Sequence, residues 1–358
     1  MPPDPEDRSV PIDRLLAFAE KMLQTVDVPQ EDARLTAHIL LQADLRGIES
    51  HGMAHLVDFY VRALQSGRTK PRPDISVTRE SAAAATIDGD GGLGFVVGHH
   101  AMGLAIEKAR ETGVGIVSVG NSTHYGAGAF YGMMALEHDM IGISMTTGGR
   151  LMAPPGSRGQ AVGTNVLSLA APTPRSFPYV LDMATTVVAA GKLEIAARRG
   201  RPIPEGWAVD GAGQPLTDPR MLQSGAALLP LGGATDTGAY KGFGLALMVD
   251  ILCGALSGFG TSAEIEMGTA AHCFGALRIE AFQPISQYLE RMEGMIAAVK
   301  RAPKEEGIDE IHIAGELEHA LAEQRQEAGA VPLHPAILEG YRVAADEFGV
   351  PFDLTDAP

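Results

Sequence analysis

Cysteine is scarce in this 358-residue chain, which has only Cys253 and Cys273. Two thiols make neither a disulfide scaffold nor a four-ligand zinc site, and the expected setting is a reducing cytoplasm. Basic residues are the scarcer charge, 28 Lys and Arg against 44 Asp and Glu, for a formal net charge of -16. Such a surface repels nucleic-acid phosphates and anionic lipid heads, so neither nucleic acid nor a membrane is an expected partner. The first residues, Met1-Pro2-Pro3-Asp4-Pro5-Glu6-Asp7, lack the cationic start and apolar stretch of a secretory signal. Long apolar runs are missing too. The longest, 242–260, is interrupted by five glycines and by Asp250, and a carboxylate at a bilayer centre costs roughly 2.5–3.5 kcal/mol. It reads as a buried helix instead.

Hydrophobic residues make up 45% of the chain, enough for folded cores, and the length fits about two domains of ~100–200 residues each. Residues 11–25 and 29–46 read as helices. The second opens with Pro29, Glu31 and Asp32 and places Leu35, Ile39, Leu40 and Ala43 on one side. Prolines and turn formers at 66–73 mark a connection. A strand over 82–87 meets a glycine-rich turn at 88–92. Met102, Ala105, Ile106 and Ala109 have helical spacing, and Gly113 stops that helix before a buried strand at 114–119. A polar turn at 121–128 precedes a helix at 130–136 and a strand at 141–146. Further strands are expected at 166–171 and 179–182, and helices at 187–199, 241–256, 285–300 and 316–326.

Several segments carry chemistry. Gly126-Ala127-Gly128-Ala129-Phe130-Tyr131-Gly132 follows a strand and opens a helix, but its third glycine comes one residue late, and the next strand ends without an acid for a ribose hydroxyl. A Rossmann site is therefore not expected. His124 stands just past an apolar strand among hydroxyl and amide side chains, where an imidazole can trade protons near neutral pH. His51 and His55 are spaced i, i+4, as metal ligands on a helix would be, but the glutamate of that motif is missing and Gly52 weakens a helix. No metal is expected. Lys241 lies near a helix amino end between glycine-rich turns, suited to an anionic group, and Asp182 ends a strand as either a hydroxyl acceptor or a helix cap.

Taken together, Asp44-Leu45-Arg46-Gly47-Ile48-Glu49-Ser50-His51-Gly52, Asn121-Ser122-Thr123-His124-Tyr125-Gly126, Gly163-Thr164-Asn165, Asp182-Met183-Ala184, Pro204-Glu205-Gly206-Trp207-Ala208, Leu229-Pro230-Leu231-Gly232-Gly233 and Lys241-Gly242-Phe243-Gly244-Leu245 resemble the type 2 malate and L-lactate dehydrogenase family. The resemblance implies an α/β fold that is not Rossmann. A larger domain would be built from both chain ends, 1–125 and 235–358, around a central cofactor-binding domain at 126–234, and two copies would form a homodimer. It implies NAD or NADP as cofactor and a small carboxylate as substrate. The acid/base role falls on His124. Gly148, Asp182, Met183, Ala184 and Lys241 would line the cofactor, while Ser50, His51, Thr164 and Asn165 would border the substrate. The family usually has an arginine five residues after the serine of Ser-His-Gly, to hold the substrate carboxylate; here that residue is His55. The spacing to the next aromatic is one residue longer, giving Phe59-Tyr60. His55 stays among the expected substrate-binding residues, though it binds a carboxylate by a single hydrogen bond and carries charge only when protonated, and Arg46 or Arg62 is the expected substitute.

The expected reaction is hydride transfer between the nicotinamide and C2 of a small 2-hydroxy or 2-keto acid. Reduction of a cyclic imino acid, such as a pyrroline or piperideine carboxylate, is the alternative that His55 keeps open.

Overall fold

The computed structural model describes residues 4–220 and 225–354. Its strands are β1 (Arg8–Pro11), β2 (Ser76–Glu80), β3 (Ala84–Gly92), β4 (Val114–Thr123), β5 (Met140–Gly148), β6 (Val166–Ala171), β7 (Tyr179–Met183), β8 (Ala208–Val209), β9 (Ala227–Leu228), β10 (Thr269–Arg278) and β11 (Ala330–Leu333). Its helices are α1 (Ile12–Gln24), α2 (Gln30–Leu45), α3 (Arg62–Gln65), α4 (Gly94–Thr112), α5 (Gly128–Met134), α6 (Ala190–Arg198), α7 (Ala239–Asp250), α8 (Ile285–Lys300), α9 (Glu316–Ala328) and α10 (Pro335–Phe348).

Proline fixes the start of both leading helices: Pro11 and Pro29 sit in extended conformation one residue before α1 and α2, as the pattern predicts. β1 pairs antiparallel with β11 and so ties the two ends of the chain together. The apolar faces of α1, α2 and α10 close on one core that holds Phe18, Met22, Leu40, Leu56, Tyr60 and Tyr341.

A seven-stranded sheet in the order β2-β3-β4-β10-β5-β6-β7 forms the middle of the molecule. β3 and β4 run parallel, and every other neighbouring pair is antiparallel. A dinucleotide fold of the Rossmann kind needs parallel strands with crossover helices, so this mixed α/β sheet excludes it, in agreement with the failed glycine fingerprint. α4 ends at Gly113, a left-handed residue with φ 88, and lies so close on β4 that a Cβ at Gly115 would fall 1.9 Å from the Ala105 carbonyl oxygen.

Three expectations need correction. The turns expected at 88–92 and 121–123 are strand ends: β3 reaches Gly92 and β4 reaches Thr123, with an irregular register after Asp88. Helix 241–256 is only half covered. Tyr240, Leu247, Met248, Ile251 and Leu256 are exposed along it, and beyond Asp250 it widens into a π turn, Ile251–Ala255. The pattern also assigned no element to β1, β2, β10, β11 or α10. Among the described residues, no helix is long and apolar enough to cross a membrane.

Candidate active site

β4 delivers His124 at its C-terminal end, where the chain leaves the sheet with Gly126 at φ 78. Across from it the segment 49–55 makes two short 3-10 turns, Glu49–His51 and Met53–His55, separated by Gly52 in extended conformation. His51 and His55 therefore do not share a helix face. The break has a local cause. The buried Asp44 carboxylate accepts the Met53 N–H at 2.6 Å, and a Cβ on Gly52 would fall 2.4 Å from Asp44 Oδ2. Burial pushes the Asp44 carboxyl up to about 7.

This break turns His51 toward His124 and His55 away. The His51 and His124 rings stack with centroids 5.5 Å apart. Ser50 Oγ lies 2.9 Å from His51 Nδ1. Tyr60 Oη lies 2.6 Å from His124 Nδ1, and Gly126 N–H donates to the same nitrogen at 3.3 Å. A nitrogen that accepts from an amide N–H carries a lone pair, so the Tyr60 hydroxyl donates as well and the neutral His124 ring has its proton on Nε2. Among the described residues neither Nε2 has a hydrogen-bond partner. Burial lowers both rings, His51 to about 4 and His124 well below the usual imidazole range, with His55 adding to the effect on His51 and His51, His55 and His272 adding to that on His124. Both are neutral at pH 7.

Tyr60 reaches His124 because of the extra residue noted in the sequence. Leu56–Val61 forms a π turn, which takes up one more residue than an α turn and brings Tyr60, not Phe59, into the core beneath the histidine. His55 Nε2 instead pairs with Glu194 Oε2 at 2.8 Å.

A cavity of about 430 Å³ opens beside the histidine pair, and His51 is on its lining together with Arg46, Ser50, Asp182, Met183 and Ala184. Loop 126–129 forms another wall, with Val166, Val180, Val187, Val188 and Leu231 giving an apolar strip. Asp182 Oδ2 accepts the Ala129 N–H at 2.8 Å, and burial raises its carboxyl to about 6. Arg46 is 7% exposed and makes no side-chain hydrogen bond or ion pair among the described residues; its Nε is buried without a partner. Arg62, the other arginine considered, is engaged by Glu347 through both Nη atoms.

The remaining expected site residues lie elsewhere. Asn165, with φ 38, is in a buried polar knot: its Oδ1 lies 2.9 Å from Thr147 Oγ1, its Nδ2 donates to the Ala246 carbonyl, and Asp250 Oδ1 accepts from Thr147 Oγ1, Ser262 N–H and Ser262 Oγ. Gly148 follows Thr147 at the end of β5. The Thr164 carbonyl accepts from the Thr185 N–H and hydroxyl, each at 2.9 Å, behind the Ala184 wall. Lys241 is exposed on the first turn of α7 and off the cavity lining, although its neighbour Gly242 abuts Leu231, which is on it. Sequence reasoning missed Lys192 and Glu318, both on the lining. Lys192 stands ten residues beyond Asp182 on the helix expected at 187–199, to none of whose residues a role was assigned.

These features fit an enzyme of the dehydrogenase class, and comparison with known proteins places the chain within it. Residues 10–340 match the malate/L-lactate dehydrogenase family model, and the chain belongs to that family. It is 44% identical over 348 residues to the malate dehydrogenase of Pyrococcus horikoshii, covering 95% of this chain and 96% of the relative. It is 39% identical over 312 residues to the L-sulfolactate dehydrogenase of Methanocaldococcus jannaschii, covering 86% and 88%. The solved structure of the Pyrococcus horikoshii malate dehydrogenase superposes with a TM-score of 0.90 at 41% identity, covering 98% of each chain.

Proposed function

We propose that the chain transfers a hydride between C2 of a small 2-hydroxy or 2-keto acid and a nicotinamide cofactor, NAD or NADP, with His124 as the acid/base. The observation that carries this reading is the stacked imidazole pair, whose Nδ1 atoms are engaged and whose Nε2 atoms are open. In reduction the ring first takes a second proton from solvent and then gives its Nε2–H to the keto oxygen, which leaves it neutral with the remaining proton on Nδ1; in oxidation that Nδ1–H form takes the hydroxyl proton at Nε2. Tyr60 Oη then turns from donor to acceptor and the 3.3 Å Gly126 contact is given up.

The cavity suits the flat, largely apolar nicotinamide: about 430 Å³, an apolar strip, and few polar groups. Asp182, Met183 and Ala184 with the 126–129 loop would hold it, and when bound it supplies or accepts the hydride at C2. The valines and Leu231 keep water from that centre. Arg46, unpaired and on the same lining, seats the substrate carboxylate in place of the arginine that His55 has replaced.

Two apolar cores favour the division into domains, one drawing on residues 10–95 and 331–354 and the other on 193–228, while the core of Ile87, Val117, Tyr131, Met140 and Phe274 and the β10–β5 ladder join the two parts. The exposed apolar stripe on α7 and its π extension, with Ile251 60% and Tyr240 65% exposed, favours a homodimer covering that face; its mass in solution tests this. A cytoplasmic setting accords with two buried free thiols.

The test is a panel of pyruvate, oxaloacetate and cyclic imino acids with NADH and NADPH, read by nicotinamide absorbance, on the wild type, His124→Ala and His51→Ala. His124→Ala should keep the fold and cofactor binding but lose at least about two orders of magnitude in kcat. Near-wild-type turnover by His124→Ala, with His51→Ala inactive, would move the role to His51.

A further inference from the structure

Two stripes of α6 face two different parts of the molecule. Leu193, with Ala190 and Ala196, packs in the core that draws on residues 193–228. Gly191, Glu194 and Arg198, spaced i, i+3 and i+7 and so on one side of the helix, meet the segment 49–55. A Cβ at Gly191 would fall 2.7 Å from both Ser50 Cβ and the Ser50 carbonyl oxygen. Glu194 Oε2 pairs with His55 Nε2 at 2.8 Å, and Arg198 Nη1 with Glu49 Oε1 at 3.2 Å. The turn that presents His51 is therefore held along the length of one helix.

Arg199, the residue that ends α6, closes this grip. Its Nη2 donates to Glu49 Oε2 at 3.0 Å and to Asp7 Oδ2 at 3.2 Å, and its Nη1 pairs with Asp4 Oδ2 at 2.7 Å. The planar fork of a guanidinium, with five donors, can serve three carboxylates at once. The side chains of Arg199, Asp4 and Asp7 are largely buried, unlike those of a loose surface pair. The two aspartates stand just before β1, whose pairing with β11 fixes where they lie. They also bond to each other, Asp4 N–H donating to Asp7 Oδ2 at 3.1 Å and Asp7 N–H to the Asp4 carbonyl at 2.9 Å. Residues 4–7 are thus tied through one side chain to the neighbour of Ser50-His51. Without Arg199, three carboxylates would face one another, and Arg198 on Glu49 and Arg201 on Asp4 would be their remaining ion-pair partners among the described residues.

We infer that Arg199 is a positioning residue: by neutralising Asp4, Asp7 and Glu49 together it holds the Glu49–His51 turn against α6, and so fixes the stack of His51 on His124. Its effect on turnover rests on the hydride-transfer reading above. Arg199 is off the lining of the cavity beside the histidines, so the effect falls on the chemical step and not on cofactor binding.

The test compares the wild type with Arg199→Met, Glu49→Gln, the two combined, and Asp4→Asn with Asp7→Asn. Each is measured for steady-state reduction of oxaloacetate and pyruvate, for NADH Kd by fluorescence, and for backbone amide exchange by mass spectrometry. The His51, Met53 and His55 amides are hydrogen-bonded, so their exchange reports how firmly the turn is held. Arg199→Met should lower kcat by about 10- to 100-fold, the scale of a misplaced reacting group, with NADH Kd unchanged. Exchange over 49–55 should speed by at least about 10-fold, while α1 and β4 exchange as in the wild type. The Arg199→Met and Glu49→Gln losses should not add, since both act through one contact. Neutralising Asp4 and Asp7 should give a smaller loss of the same kind. Wild-type kcat in Arg199→Met overturns the inference. So do losses that add, and so does faster exchange spread over α1 and β4, which would mark a general loss of stability. If the wild type reduces neither acid, the hydride-transfer reading fails on its own, and exchange over 49–55 still decides whether Arg199 holds the turn.

Discussion

Two polar regions that the sequence presents alike differ in the structure in how their polar atoms are satisfied. In the knot around Asn165, the hydroxyls of Thr147 and Ser262, the Asp250 carboxylate and the Asn165 amide all bond to one another or to backbone. At the cavity and the histidine pair beside it, the Arg46 guanidinium, the Lys192 ammonium and two imidazole Nε2 atoms are left without a protein partner among the described residues. A buried polar group without a partner costs about 1–3 kcal/mol, and the buried Arg46 Nε on the cavity lining is such a group, a cost the fold bears for something outside itself. The saturated region is architecture and the unsaturated one is the candidate site. Residue type does not separate them, since Thr164-Asn165 and Ser50-His51 both read as active-site borders.

The contrast predicts opposite responses to substitution. Asp250→Ala removes the acceptor for three donors inside the knot and should destabilise the fold by about 3–5 kcal/mol, measured by urea unfolding. If stability survives, the knot is not the clasp between β5 and α7 that its bonds describe.

His272 gives the next largest effect. It is fully buried, with Nδ1 2.8 Å from Thr146 Oγ1 and Nε2 3.0 Å from Ser122 Oγ, and burial lowers it to about 3. Its folded value lies below the ordinary 6.5, so its contribution is complete above pH 6.5 and is lost as pH falls toward 3, by roughly 5 kcal/mol at most. Asp44 works the other way, its contribution complete below 3.8 and lost as pH rises through about 7. Melting followed from pH 7 to pH 4 should therefore flatten in His272→Gln; equal slopes in both proteins would refute the assignment.

The smallest effect on stability is expected in the open region. Arg46→Met deletes a charge that no protein group bonds, so the unfolding free energy should move by no more than about 1 kcal/mol, while KM for the acid substrate rises about 10- to 100-fold. A large loss of stability with KM unaltered would place Arg46 in the architecture.

Legibility followed the same physics. α1, α2, β6 and α8 were readable because helical or strand periodicity and proline starts are local signals, and Gly113 marked the end of α4 for the same reason. β10 was not readable. Thr269–Arg278 is small and mixed, Ala270, Ala271, His272, Cys273 and Ala276 among them, and it is buried on both faces, so neither β-branched enrichment nor alternation marks it. At the site, the structure brings the motif residues His124, Ser50, His51 and Asp182 near one another. The extra residue at Phe59-Tyr60 was visible in the spacing, but its consequence depends on a π turn; Lys192 was lost, since its place depends on how α6 packs and has no signature in spacing.

β10 also sets a timetable. It is inserted between β4 and β5, which precede it by more than a hundred residues along the chain. As the polypeptide emerges from the ribosome, those two strands wait with unpaired edges until residues near 278 are made, and such edges are ready partners for another nascent chain. Shortening the protein anywhere before 269 would therefore do more than trim it: the two halves of the sheet would be left without the strand that joins them, and precipitation, not a smaller soluble fragment, is the outcome to expect.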